Sequence, residues 1–142
     1  MAPKIKTLIG AVLIAVLAVV TWNWWHHIRI HGESEPIEFS SADGTVLVGE
    51  VRLPAGAGPH PAVVLVHGSG PGDSSGIDYR YNSNAFLKKG LAVLVYQKRG
   101  AGQSGGDFES ATYQDFAEDL LAGVQALRAR PDIDDENIGL FA

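Results

Sequence analysis

A chain of 142 residues, 46% hydrophobic and 19% charged, suits one modest domain and is too apolar to stay disordered; lacking cysteine, it has no disulfides, thiolate metal sites or cysteine nucleophiles. Its charge is unevenly divided: Lys4, Lys6 and Arg29 are the only charged residues in the first thirty, and all sixteen carboxylates follow against the remaining eight Lys and Arg, a balance of −8. An acidic body of this kind offers no footprint for a phosphate backbone, so no nucleic-acid partner is expected.

Leu8 to Val20 contains no polar side chain, and the apolar stretch continues to Trp25. Its eighteen positions would rise about 27 Å as a helix, close to the hydrocarbon thickness of a bilayer. Lys4 and Lys6 precede the run, and Trp22, Trp24 and Trp25 stand at its far end, where indoles favour the headgroup zone. Residues 1–30 therefore read as a signal anchor, with the following domain outside the cytoplasm. A cleaved signal peptide, with small residues around Val16-Leu17-Ala18, is the alternative and would make the protein secreted or periplasmic. His27 and His31 have helical i, i+4 spacing, but Gly32 argues against a continuing helix, and no metal site is expected. Residues 31–35 read as a linker.

From Pro36 short strands begin. Ile37–Ser40, the Asp43-Gly44 pair and Thr45–Leu53 predict a hairpin whose turn takes positive φ angles. Ala62–Val66 and Leu91–Tyr96 are apolar without alternation, as expected of parallel strands buried on both faces. Tyr79 to Lys89, closed by Gly90, is the crossover helix between them. A clearer helix starts after Thr112, which forms a capping-box variant with Asp115, and ends before Pro131. Asp132–Glu136 reads as a solvated acidic turn, and Ile138–Ala142 as a third buried parallel strand within which the chain stops.

Three glycine-rich stretches invite motif matching. Gly72–Gly76 and Gly102–Gly106 both fit GxSxG, but Ser74 and Ser104 lie eight residues past the preceding strands, whereas a nucleophile elbow sits on the turn directly between strand and helix. Gly100–Gly105 fits GxGxxG, yet Asp107 and Glu109 follow where a phosphate-binding helix should open. The third stretch, His67-Gly68-Ser69-Gly70-Pro71-Gly72, leaves the first parallel strand at its carboxyl end, where open α/β sheets bind ligands. So little side-chain bulk lets main-chain N–H groups approach a substrate closely.

In order, VLVHGSGPGD, LAVLVYQKRGAGQSGG, an amphipathic helix and DDENIGLFA resemble the N-terminal half of an α/β-hydrolase, in the esterase, lipase and serine-aminopeptidase branch. The likeness covers residues 36–142. It implies an α/β fold with an N-terminal hairpin, parallel strands and crossover helices, truncated at strand five. It further implies that the Ser69 N–H is an oxyanion donor, with Gly68 and Gly70 shaping the turn and His67 supporting it. Lys98, Arg99 and Gly100 would form the loop beside the site, Arg99 as a structural ion-pair partner and Ser104 as a loop or capping residue. In such proteins the triad runs Ser, acid, His from the elbow after strand five. No histidine follows His67 here, so serine, acid and base are all expected beyond Ala142. The resemblance thus implies a serine hydrolase that cleaves a small ester, an amide or a short peptide through an acyl-enzyme, needs no cofactor, and is inactive as this stretch alone. A non-catalytic, membrane-tethered binding module of the same fold is the alternative.

Overall fold

The computed structural model describes residues 2–72 and 76–142. The elements are α1 (Ala2–Ile28), β1 (Glu33–Ser40), β2 (Val46–Leu53), β3 (His60–Leu65), α2 (Ile77–Leu87), β4 (Ala92–Tyr96), α3 (Tyr113–Arg128) and β5 (Ile133–Phe141). The strands form one sheet in the order β1-β2-β4-β3-β5. β1, β2 and β4 pair antiparallel, whereas β3 runs parallel to both β4 and β5.

The unbroken apolar runs at the centre are explained by what covers the sheet. In β3, Ala62 and Val64 point to one face and Val63 and Leu65 to the other; in β4, Ala92, Leu94 and Tyr96 alternate in the same way with Val93 and Val95. α3 covers the first face through Ala122 and Leu127, and α2 covers the second through Leu87. With both faces dry, neither strand has a polar side to show. Each buried Val or Leu contributes about 1.5–3 kcal/mol of transfer free energy. Gly123 allows the close approach of α3, since a Cβ there would press on Leu94 and Phe39.

Four expectations are corrected. β1 begins at Glu33, inside the stretch read as linker, because Glu33 to Ser40 pairs with the full length of β2 from Leu53 to Val46. Pro36 is tolerated there because β1 is an edge strand. In the hairpin only Gly44 takes a positive φ, of 84°. The Gly44 N–H donates to Ser41 O and the Ser41 N–H to Thr45 O, a three-residue loop rather than a two-residue turn. The acidic residues Asp134 to Glu136 belong to β5 rather than to a turn. Ile133, buried in the core, and the 2.8 Å bond from the His60 N–H to Asp132 O draw that segment against β3, with a register shift between His60 and Ala62. Lying on an edge strand, these carboxylates keep their access to water, and for the same reason Leu140 and Phe141 are exposed, so the apolar end of β5 is not the buried strand that its composition suggests.

The Thr112 cap forms as expected: its hydroxyl accepts from the Asp115 N–H at 3.2 Å while Asp115 accepts from the Thr112 N–H at 2.7 Å. The stretch of α1 from Thr7 to His26 is not buried and is long and apolar enough to cross a membrane. α1 ends at Ile28, before His31. The His31 ring bonds the carbonyl of His26 at 2.7 Å, and the described residues contain no cluster of potential metal ligands. Asn84 of α2 ties down the connection to β1, accepting from the His31 N–H and donating to Arg29 O.

Candidate active site

The loops leaving the carboxyl ends of β3 and β4 meet beside the start of α3 and enclose a cleft of about 660 Å³. Val66, His67, Gly68 and Ser69 form one wall, Tyr96 and Lys98 the floor, and Phe108 to Phe116 the opposite wall. Parallel strands end together on one side of a sheet, which is why two loops 29 residues apart in the chain converge here.

His67 is buried, with both ring nitrogens engaged. Nε2 bonds the Tyr96 carbonyl and Nδ1 meets the Tyr79 hydroxyl at 2.6 Å. A carbonyl can only accept, so Nε2 carries the proton and Nδ1 accepts from tyrosine. The ring fastens the start of the β3 loop to β4 and α2, and a base whose lone pair is already taken is poorly placed to collect a substrate proton.

Gly68, Ser69 and Gly70 are exposed, and a Cβ on either glycine would meet nothing within 4 Å. Three alternate carbonyls of this loop turn toward residue 98. The Lys98 ammonium donates to Gly68 O at 2.5 Å and to Gly70 O at 3.1 Å, and the Lys98 N–H donates to Gly72 O at 3.1 Å. In a trans peptide the N–H points opposite to the C=O, so the Ser69 N–H is directed away from Lys98. Among the described residues nothing accepts it.

Lys98 is buried beneath two aromatic faces, its nitrogen 4.8 Å from the Phe116 ring centre and 5.3 Å from that of Phe108. Desolvation lowers its pKa from the ordinary 10.5. Burial raises the Tyr96 hydroxyl to about 12, with the charge of Asp119 adding to the effect, so this phenol stays protonated through the neutral range.

Arg99 and Gly100 hold the site from behind and do not line the cleft. Arg99 forms a two-pronged pair with Asp119 of α3, at 2.8 and 2.6 Å, and reaches Asp43 in the hairpin at 2.9 Å. Its hydrogen bonds to both carboxylates, that of Asp119 first, push its pKa well above the ordinary guanidinium value. Ser104 is likewise structural: its hydroxyl donates to Gln97 O and accepts from the Val48 N–H. Ser74 lies outside the described residues.

Sequence reasoning placed Lys98 in the loop beside the site without giving its ammonium a partner, and it passed over the Tyr79 hydroxyl and the buried Arg52, which joins Glu50 to Ser83 and the Tyr79 carbonyl. The only signal was a charged residue set within or beside an apolar strand, and it does not name the partner.

Residues 43–141 match the family described as X-Pro dipeptidyl-peptidase (S15 family). Esterase EstD of Thermotoga maritima is 37% identical over 109 residues, covering 70% of this chain and 26% of the relative. Thiohydrolase aneE of Aspergillus aculeatus is 34% identical over 106 residues, covering 74% and 32%. Among solved structures, the Pyrococcus furiosus esterase PF2001 superposes with a TM-score of 0.64 at 25% identity, over 77% of this chain and 39% of that one. The α/β hydrolase GrgF from Penicillium sp. sh18 gives 0.63 at 26% identity, over 76% and 36%. The chain thus spans between a quarter and two fifths of the length of these relatives.

Proposed function

Since the chain belongs to the X-Pro dipeptidyl-peptidase (S15) family and has the N-terminal architecture of an α/β-hydrolase, we propose that it is the oxyanion-side half of a serine hydrolase acting on ester or amide bonds. The observation that carries this reading is the Ser69 N–H, without an acceptor among the described residues, in an exposed glycine-flanked turn at the carboxyl end of β3 and bordering the cleft. A main-chain donor of this kind stabilises the negative charge that a carbonyl oxygen gains on becoming tetrahedral, and loss of one such donor raises the barrier by about 3 kcal/mol.

The attacking serine, its histidine and its acid belong to the part of such a protein that follows residue 142. The serine oxygen adds to the substrate carbonyl as its proton passes to the histidine. Collapse of the tetrahedral intermediate expels the alcohol or amine, which takes that proton, and water then releases the acid by the same steps. Support comes from the relatives, which are about two to three times as long, and from His67, the last histidine in the chain, whose ring is committed to Tyr96 and Tyr79. Residues 1–30 act as an anchor or leader that carries residues 36–142 outside the cytoplasm; the apolar length of Thr7–His26 supports this.

The reading is tested on the protein encoded by the complete reading frame, with p-nitrophenyl esters and aminoacyl naphthylamides as substrates and a fluorophosphonate probe mapped by mass spectrometry. Hydrolysis of either class, with the label on a serine after residue 142, is expected. Label on Ser69 or Ser104 would overturn the division of labour, and failure to turn over any substrate would leave a binding module in place of an enzyme.

A further inference from the structure

Peptide planes in a glycine-flanked turn have little to hold them. Gly68 and Gly70 carry no side chains to pack, a Cβ on either would meet nothing, and the stretch from Gly68 to Gly70 is exposed. An N–H that must meet a developing charge at hydrogen-bond distance needs a fixed direction before the reaction starts. The described residues supply one polar side chain that grips this turn, the Lys98 ammonium, which bonds the carbonyls of Gly68 and Gly70 together.

Resting on the hydrolase reading above, we propose that Lys98 is a positioning residue for the oxyanion site: by holding the Gly68 carbonyl it sets the plane of the Gly68–Ser69 peptide and so aims the Ser69 N–H at the reacting carbonyl. Three features make Lys98 suited to the task. Its two acceptors lie two residues apart, so one ammonium spans the turn. The peptide after Gly70 ends in Pro71 and has no N–H, which leaves the Ser69 N–H as the only donor oriented by the pair. Among the described residues no carboxylate bridges Lys98; the faces of Phe108 and Phe116 offer its charge a weaker, less directional partner, so the donors stay committed to the carbonyls. Lys98 itself need not touch substrate.

The test uses the complete protein and the variants Lys98→Met and Lys98→Arg, with the p-nitrophenyl ester as substrate. Aiming one donor is a transition-state effect, so Lys98→Met is expected to lower kcat by about 10- to 100-fold with KM within about threefold of wild type. Lys98→Arg, which keeps charge and donors, is expected to recover part of kcat. A folded Lys98→Met protein with wild-type kcat would overturn the proposal, and so would a loss of kcat in strict proportion to folded fraction with no advantage for arginine. Should Lys98→Met fail to fold, Lys98→Gln, whose uncharged amide ends one atom short of the ammonium, takes its place: a lowered kcat at constant KM supports the proposal, and an unchanged kcat overturns it. Crystal structures of wild type and variant give a readout independent of turnover. A Gly68–Ser69 peptide rotated in the variant supports the role of Lys98 even if the wild type hydrolyses none of the substrates, which would count against the hydrolase reading alone; an unmoved peptide overturns the role of Lys98.

Discussion

The loops after β3 and β4 are both rich in glycine and both leave the same edge of the sheet, yet they use glycine for opposite ends. In the loop after β4, Gly100, Gly102 and Gly106 all have positive φ, and a Cβ on Gly100 would run into the main chain of Asp107 and Phe108. That loop is pinned from within by the buried Arg99 and Ser104, and although Gly100, Gly102 and Gly106 are themselves exposed, their backbone needs glycine in order to fold. In the loop after β3, Gly68 and Gly70 have neither positive φ nor a close neighbour. There the missing side chain serves access from outside, and rigidity is brought in by Lys98 and His67. Glycine content alone therefore does not separate a loop that needs glycine in order to fold from one that is left open beside a cleft; the neighbours of the absent Cβ do.

Breaking the β4 loop should have the largest effect. Arg99→Met leaves Asp119 charged, 1% exposed and without its partner, and is expected to cost about 3–5 kcal/mol in urea unfolding. Gly100→Ala forces an L residue to a φ of 72° against backbone that cannot yield, and about 1–3 kcal/mol should be lost in the same measurement. A smaller effect comes from acid. Bonds from the Thr45 main chain and hydroxyl, then Arg99, hold the Asp43 carboxyl below its ordinary 3.8. A lowered carboxyl stabilises the fold fully above its unfolded value and ceases to do so once pH falls through the folded one. The stability difference between wild type and Asp43→Asn should therefore hold near neutrality and close below pH 3.8. A difference that persisted to lower pH would mean that Asp43 does not hold the loop through its charge. Gly70→Ala should have the smallest effect on stability, within about 0.5 kcal/mol, as for surface changes in general. A loss of stability matching that of Gly100→Ala would erase the contrast between the loops.

The sequence determined the elements whose cause is local or periodic. Apolar runs without alternation marked β3 and β4 as strands covered on both faces, Thr112 and Asp115 marked the start of α3, and eighteen uncharged, mostly apolar positions behind two lysines marked α1. The order of the glycine-rich segments also located the turn that holds Ser69. Tertiary structure alone decided the extent of β1 and β5, because an edge strand runs as far as its neighbour has free hydrogen-bonding groups, which its own residues do not state. It alone decided which partners the buried charges found. Arg99 meets Asp119 from 20 residues away and Lys98 meets Gly68 from 30, at distances that no helical or strand period encodes. A side chain's period tells which face it occupies; what waits on that face depends on how the sheet is ordered.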